Sequence, residues 1–466
     1  MPFLTDTFAN FVAAYQQQPY PSLSERQQQL KALRQQLLAQ QQALLAALTA
    51  DFGQRSHSDS QMLEILPSIG SIDHSLKQLK RWLKPQKRHV SWLFLPAQNY
   101  VVYQPLGVVG VIVPWNYPVF LSLGPLVAAI SAGNKVMLKL SEFTPHTNQV
   151  LKSIIETALP QTAVVIEGDA EIAASFSQLP FQHLLYTGST AVGYHVMRAA
   201  SANLTPVTLE LGGKSPLIVA PDADIKHMAE RIIFGKTANA GQTCVAPDYL
   251  LLHKDQLQQS VEALQAEFTK FYPADAFDNC YPAIINERHY ARLQSYLTAA
   301  KAAGAEVISC LSDKPEHRQK RLLPLTLVLN APLDSALWTE EIFGPILPVY
   351  SYSNIDEALQ FVQQRPRPLA LYLFSNNKQL QQRVLTSTHA GGVCVNETLM
   401  HVGQEDLPFG GIGPSGMGAY HGKEGFLTFS HAKAVHKKGW LNSSLLAYPQ
   451  HRPKLFDKLL QWLLRP

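Results

Sequence analysis

From Tyr100 onward the chain alternates short valine-rich runs with helical segments. NYVVYQPLGVVGVIVPW, LVAAISAG, KVMLKL, HTNQVLKSIIETAL, TAVVIEG and HLLYTGS follow one another in that order. Strands separated by helices cannot pair as hairpins, so each crossover returns the next strand parallel to the last. The run VVGVIV is apolar at nearly every position, as a strand buried on both faces requires, and Pro105 and Gly107 divide it from an earlier strand. A parallel sheet with helices on its faces is the consequence, with dinucleotide-binding potential at its carboxyl edge. After VTLELGGKSPLIV a second series starts: a helix over Ile225 to Thr237, the strand DYLLLH and a helix over Gln256 to Tyr272. The expected fold class is therefore α/β with two parallel-sheet domains. Ahead of both, Ser24 to Leu48 spaces leucine and alanine as one amphipathic helix, giving an all-α start. Beyond Leu407 the pattern dissolves into glycine turns, with a strand expected near Phe426 to Phe429.

At 466 residues, 46% of them hydrophobic and 16% charged, the chain has core enough for two or three domains and is not a disordered one. Its formal charge of +4 is unevenly spread. From Lys433 onward there are seven Lys or Arg and one Asp, leaving the body slightly negative, so no nucleic-acid face is expected. The four cysteines, Cys244, Cys280, Cys310 and Cys394, form no CxxC pair, which argues against a disulfide framework or a cysteine zinc site. A reducing, cytoplasmic setting fits them, and MPFLTDTFANFV lacks a basic n-region and a cleavage site. The most apolar stretch, Val119 to Gly133, is too short to span a bilayer.

Three residues stand in settings that suit chemistry. Cys244, in GQTCVAPDY, follows a helix in a polar, glycine-loosened context that suits a nucleophile; a lone cysteine is more often core, and the other three are read so. Glu210 lies on the strand face opposite Val207, Leu209 and Leu211, just before Gly212 and Gly213. There it can activate a water, although alone such a residue is usually a solvated charge. Asn116, between Pro114 and Pro118 at the end of a buried strand, can donate to an oxyanion or simply form a turn. YTGSTAVG, with Gly188, Ser189 and Gly193 before a helix over Thr190 to Ala200, is a partial dinucleotide signal. GGIGPSG satisfies GxGxxG at Gly411, Gly413 and Gly416, yet Pro414 interrupts it and no helix follows, so it reads as a decoy turn. HExxH, Walker A and GxSxG motifs and clustered metal ligands are all missing, and no metal is expected.

Taken together, PWNYP, KLSEFTP, YTGSTAVG, LELGGKSP, GQTCVAPDY, EEIFGP and LPFGGIGPSGMGAYHGKEGF, in this order from about Val101 to Phe429, resemble the aldehyde dehydrogenase superfamily. GGVCVNET, the glycine-rich ending and the tail look like its class 3 branch, most of all the bacterial coniferyl aldehyde dehydrogenases. The resemblance implies Cys244 as nucleophile, Glu210 as general base and Asn116 as oxyanion donor. It implies NAD as cofactor, with NADP tolerated: Lys139 and Glu142 at the adenosine ribose, Gly188, Ser189 and Gly193 under the pyrophosphate, and Glu341 and Phe343 at the nicotinamide ribose and ring. Trp115 is counted with the cofactor residues, and with Tyr117 it also suggests an aromatic-lined tunnel for the aldehyde.

The implied domains are 1–91 with 105–210 for the cofactor and 211–407 for catalysis. An oligomerisation element takes 92–104 and 408–440, and 441–466 form a basic amphipathic tail. A homodimer is expected. Over Lys454 to Arg465, Leu455, Leu459, Trp462 and Leu463 share an apolar face opposite Asp457, Lys458 and Gln461, so the tail docks on protein or, alternatively, contacts an anionic membrane peripherally. The reaction that the resemblance implies is oxidation of an aromatic, coniferyl-type or a medium- to long-chain aldehyde to its acid. A CoA-acylating enzyme and an idle binding protein on the same fold are the alternatives, and Glu210 favours hydrolysis over acyl transfer to CoA.

Overall fold

The structure, a computed structural model, describes residues 2–312, 314–441, 448–451 and 453–465. Its strands are β1 (Gln86–Arg88), β2 (Gln98–Pro105), β3 (Val108–Ile112), β4 (Lys135–Lys139), β5 (Ala163–Ile166), β6 (His183–Gly188), β7 (Val207–Leu211) and β8 (Pro216–Val219), followed by β9 (Tyr249–His253), β10 (Glu306–Ser309), β11 (Thr326–Leu329), β12 (Ile346–Tyr352), β13 (Ala370–Phe374), β14 (Gly392–Val395), β15 (Gly416–Met417) and β16 (Ser430–Lys437). They form three sheets.

The first sheet runs β15-β7-β6-β3-β4-β5, parallel throughout except at β15. Strand order reverses between β3 and β6, and at such a switch point a crevice opens beyond the carboxyl ends of the strands. The second sheet runs β10-β11-β12-β9-β8-β13-β14, parallel except for its β10 edge. In both, the central strands are buried along nearly their whole length, as their continuous apolar runs require. The third sheet is antiparallel, β1-β2-β16, and joins residues far apart in sequence, Val102 facing Lys433 and Gln98 facing Lys437. β2 and β16 fall largely within the 92–104 and 408–440 segments that the resemblance groups together.

Three expectations are corrected. The helix read over Ser24 to Leu48 is two helices, Leu23–Ala39 and Gln41–Phe52. Ser22 and Glu25 cap the first in a reciprocal capping box, and the break at Gln40 resets the helical face so that the second buries Leu44, Leu45, Leu48 and Phe52. Phe426 lies in a helix, Gly422–Thr428, and the strand begins only at Ser430. The ring of Phe426 packs on Trp82 and Tyr103, and a side chain at Gly425 would come within 2.9 Å of Ala128 Cβ, so close helix packing overrides the β propensity of FLTF. The tail helix covers Lys454–Leu463, slightly shorter than expected, while residues 442–447 of the tail lie outside the described residues. No described helix is long and apolar enough to cross a membrane.

Candidate active site

The carboxyl ends of β3 and β7 and the turn after the helix Ile225–Thr237 converge on one point. In that turn Asn239, Ala240 and Gly241 all have positive φ, at 51°, 53° and 72°. Only glycine fits the last position, because a Cβ there would lie 2.5 Å from the Gly344 carbonyl oxygen. Two non-glycine residues in this region cost about 1–3 kcal/mol each, so the surroundings must hold them. Asn239 Nδ2 donates to the carbonyls of Asn116 (2.9 Å) and Gln242 (3.3 Å). Gln242 Nε2 donates to Asn239 O (3.0 Å) and Ala283 O (3.1 Å), and its Oε1 accepts from Ile285 N (2.9 Å). This pedestal presents Cys244 at the inner end of a tunnel, beside Thr243, whose hydroxyl is 2.7 Å from that of Tyr117.

Asn116 is buried, and its Nδ2 donates to the Gln242 carbonyl at 3.1 Å, which leaves its second N–H free for another acceptor. Behind it lies a pair that motif reading did not find. Arg55 Nη1 is 2.8 Å from Glu64 Oε1 and donates to the Asn116 carbonyl at 3.3 Å. Glu64 Oε2 accepts from the amides of Val119 (2.6 Å) and Phe120 (3.2 Å), where the helix Phe120–Ala132 begins. Burial pushes the Glu64 carboxyl up, while Arg55 and the two amides pull it back. The available signal was a glutamate inside the otherwise apolar run MLEIL.

Glu210 sits on β7 between Thr187 of β6 and Gly416 of β15, buried, and neither carboxylate oxygen has a hydrogen-bond partner. Burial alone drives its pKa well above the ordinary value. Glu341 is pushed to about 8 by burial and by Asp248. Its carboxylate occupies the space that a side chain at Gly212 would need. The Cys244 thiol is pushed up to about 12 by burial and then by the charges of Glu341 and Glu210. The three sequence-predicted groups thus stand together with Glu341 in one low-dielectric space, where a proton is held tightly and a cationic or hydrogen-bonding visitor shifts the balance.

The tunnel has a volume of about 460 Å³ and runs from Cys244 past Tyr117, Phe120 and Tyr420. Trp115 does not line it. The indole packs on Phe52, His289 and Phe343 on the other side of the site, which corrects the tunnel reading for that residue.

That other side carries the remaining predicted residues. Lys139 ends β4 with its ammonium buried, donating to Leu140 O at 2.7 Å, and burial lowers its pKa; Glu142 is exposed nearby. Gly188 ends β6, where a Cβ would collide with the Tyr186 hydroxyl, and Ser189 caps the helix Thr190–Ser201. Gly193 lets that helix approach Leu211 closely, since a Cβ would lie 2.8 Å from its Cδ2. A dinucleotide fits this edge: glycines hug the sheet, a helix N-terminus is open to phosphate, and a lysine and a carboxylate flank the end of β4. Phe343 has φ 48°. Its segment is fixed by Asp248, which accepts from Ile342 N at 3.1 Å and pairs with Lys214, while Arg292 donates to Ile342 O at 2.8 Å. Asp248 and Arg292 were not legible in the sequence, because each acts on backbone about 50 to 95 residues away.

Residues 8–435 match the aldehyde dehydrogenase family. A Pseudomonas aeruginosa protein named "Probable coniferyl aldehyde dehydrogenase" is 52% identical over 445 residues, 95% of this chain and 93% of its own. The coniferyl aldehyde dehydrogenase of a Pseudomonas species is 44% identical over 88% of this chain and 86% of its own. Among solved structures, Staphylococcus aureus AldH in a substrate-bound state superposes with a TM-score of 0.92 at 39% identity, covering 98% of this chain and 99% of that one. A Mycobacterium tuberculosis aldehyde dehydrogenase complexed with NAD+ gives 0.85 at 26% identity over 94% and 91%. The chain belongs to the aldehyde dehydrogenase family.

Proposed function

We propose that the protein oxidises an aromatic, coniferyl-type or medium- to long-chain aldehyde to its carboxylic acid, with Cys244 as nucleophile, Glu210 as general base, Asn116 as oxyanion donor and NAD as cofactor. The observation that supports this reading is Cys244 lining an apolar tunnel, with the unpartnered Glu210 carboxylate near enough to raise its thiol pKa and Asn116 Nδ2 tied to the carbonyl of Gln242, two residues before it.

Cys244 Sγ adds to the aldehyde carbon, its proton leaving to Glu210 or water, and forms a thiohemiacetal. Asn116 Nδ2 and the Cys244 backbone N–H hold the oxyanion, each donor being worth roughly 3 kcal/mol in the transition state. NAD, when bound, supplies the two-electron acceptor that turns the thiohemiacetal into a thioester. Lys139 and Glu142 would hold its adenosine ribose, and Gly188, Ser189 and Gly193 its pyrophosphate. Glu341, Phe343 and Trp115 would hold the nicotinamide end. Glu210 then takes a proton from water, whose oxygen attacks the thioester carbon; the carbon–sulfur bond breaks, the acid leaves, and Cys244 is released as its thiolate. The unpaired oxygens of Glu210 suit this step, since a base already tied in hydrogen bonds would be a weaker one.

A homodimer belongs to this reading, with the C-terminal helix docked on the partner. On its own chain that helix leaves Trp462 and Leu463 exposed at 62% and 39%. The deciding experiment follows NADH with an aldehyde panel, with and without CoA. Turnover to free acid that disappears in Cys244→Ala, with NAD binding retained, is expected. CoA-dependent turnover would make the enzyme acylating, and no turnover with any aldehyde would leave only a binding protein.

A further inference from the structure

The residues that line the tunnel are apolar except for Tyr117, Thr243 and Tyr420, which carry hydroxyls, and one acidic residue, Glu405. Glu405 is half-buried. Met62, Leu66 and Met400, which line the tunnel with it, are 45%, 65% and 47% exposed and mark the mouth. Glu405 Oε1 accepts from the buried Ser71 hydroxyl at 2.6 Å, and the nearby Gly422 amide favours the charged carboxylate. Ser71 follows the lining residue Gly70, and a Cβ at Gly70 would meet nothing within 4 Å, so there is room beside the pair.

A carboxylate offers about four acceptor sites, and the Ser71 hydroxyl uses one of them. Burial that pushes the Glu405 pKa up makes a further donor favourable. We propose that Glu405 accepts a hydrogen bond from a ring hydroxyl remote from the aldehyde, so that the tunnel selects hydroxylated aryl aldehydes over aldehydes lacking that donor. An alkyl chain filling the same space strips water from Glu405 and returns nothing, whereas a phenol replaces the lost bond. The inference rests on the oxidation proposed for Cys244 and gives it a substrate class.

The test compares kcat/KM at pH 7 for 4-hydroxycinnamaldehyde and 4-methoxycinnamaldehyde, which differ in the donor, with hexanal as a third substrate. The wild type should favour the hydroxylated aldehyde by about tenfold or more, as a hydrogen bond to a charged acceptor gives. In Glu405→Leu the hydroxyl-to-methoxyl ratio should fall to near one, and in Glu405→Gln to an intermediate value. A wild-type ratio near one with all aldehydes oxidised overturns the inference and leaves the oxidation standing. So does a Glu405→Leu loss that falls equally on every aldehyde, which marks Glu405 as a loop tie only. Failure of the wild type to oxidise any aldehyde overturns the underlying reading instead. The wild-type ratio decides the matter even where the leucine variant does not fold.

Discussion

Replacing Glu64 with glutamine tests whether the buried Arg55–Glu64 pair holds the loop that carries Asn116, the proposed oxyanion donor. The amide oxygen can still accept from Val119 and Phe120, so the helix start keeps its cap. What disappears is the charge opposite Arg55, whose side chain is 1% exposed. A buried charge stripped of its partner costs about 3–5 kcal/mol, softened by the stacking of the guanidinium over Phe52 and Tyr117 at 4.6 and 5.2 Å. Converting Arg55 to methionine in the same chain removes the orphan charge. The double variant should therefore recover about 2 kcal/mol or more of what Glu64→Gln loses, paying only for an unmatched amide N–H and the Asn116 carbonyl left without Arg55. Urea unfolding followed by tryptophan fluorescence on wild type, both single variants and the double gives the coupling energy. Activity should not recover in parallel, because Arg55 also holds the Asn116 carbonyl; kcat should remain about 10- to 100-fold down, approaching the loss of one oxyanion donor. Glu64→Gln within about 1 kcal/mol of wild type, or a double variant less stable than that single one, would refute the argument.

Glu210→Gln should spare the first turnover more than the steady state, and a stopped-flow NADH burst that vanishes along with turnover would move Glu210 to the activation of Cys244. NAD should be preferred to NADP without excluding it, since a 2′-phosphate meets the charge of Glu142 while Lys139 remains to pair with it; equal or better kcat/KM with NADP would refute this. Without added cofactor, alkylation of Cys244 by iodoacetamide should rise about tenfold per pH unit from 7 to 10, as a thiol near 12 requires, and a plateau near pH 8.5 would mean an unperturbed thiol. Truncation after Ser444 should weaken the dimer or change chain-length preference, while the intact protein stays off anionic liposomes; salt-sensitive sedimentation lost on truncation would favour the membrane instead.

What the sequence revealed and what it hid divide along a physical line. Strands such as β3 and β4 were legible because every position answers to one environment, the inside of a parallel sheet, and periodicity records that directly. Phe426 was not, because its conformation is decided by Trp82 and by the contact of Gly425 with Ala128, neither of which lies nearby in the chain. The site follows the same rule. Cys244 and Asn116 sit in turns and Glu210 on β7 just before one, and the glycines and prolines there advertise special backbone, so short motifs single these residues out. The conditions under which they work could not. The raised pKa of Cys244 comes from desolvation and from two glutamates drawn from a strand and a loop, and the buried Glu210 carboxylate has no hydrogen-bond donor on it. Those are statements about what surrounds a group, and they arise only where the carboxyl ends of β3 and β7 meet the Cys244 turn. The supporting residues are of this second kind throughout: Arg55 steadies Asn116, Gln242 ties Asn239 to Ala283, and Asp248 fixes the backbone of Ile342 between Glu341 and Phe343. Each fixes a main-chain atom in a distant segment, so its replacement by an isostere should disturb position before it disturbs chemistry.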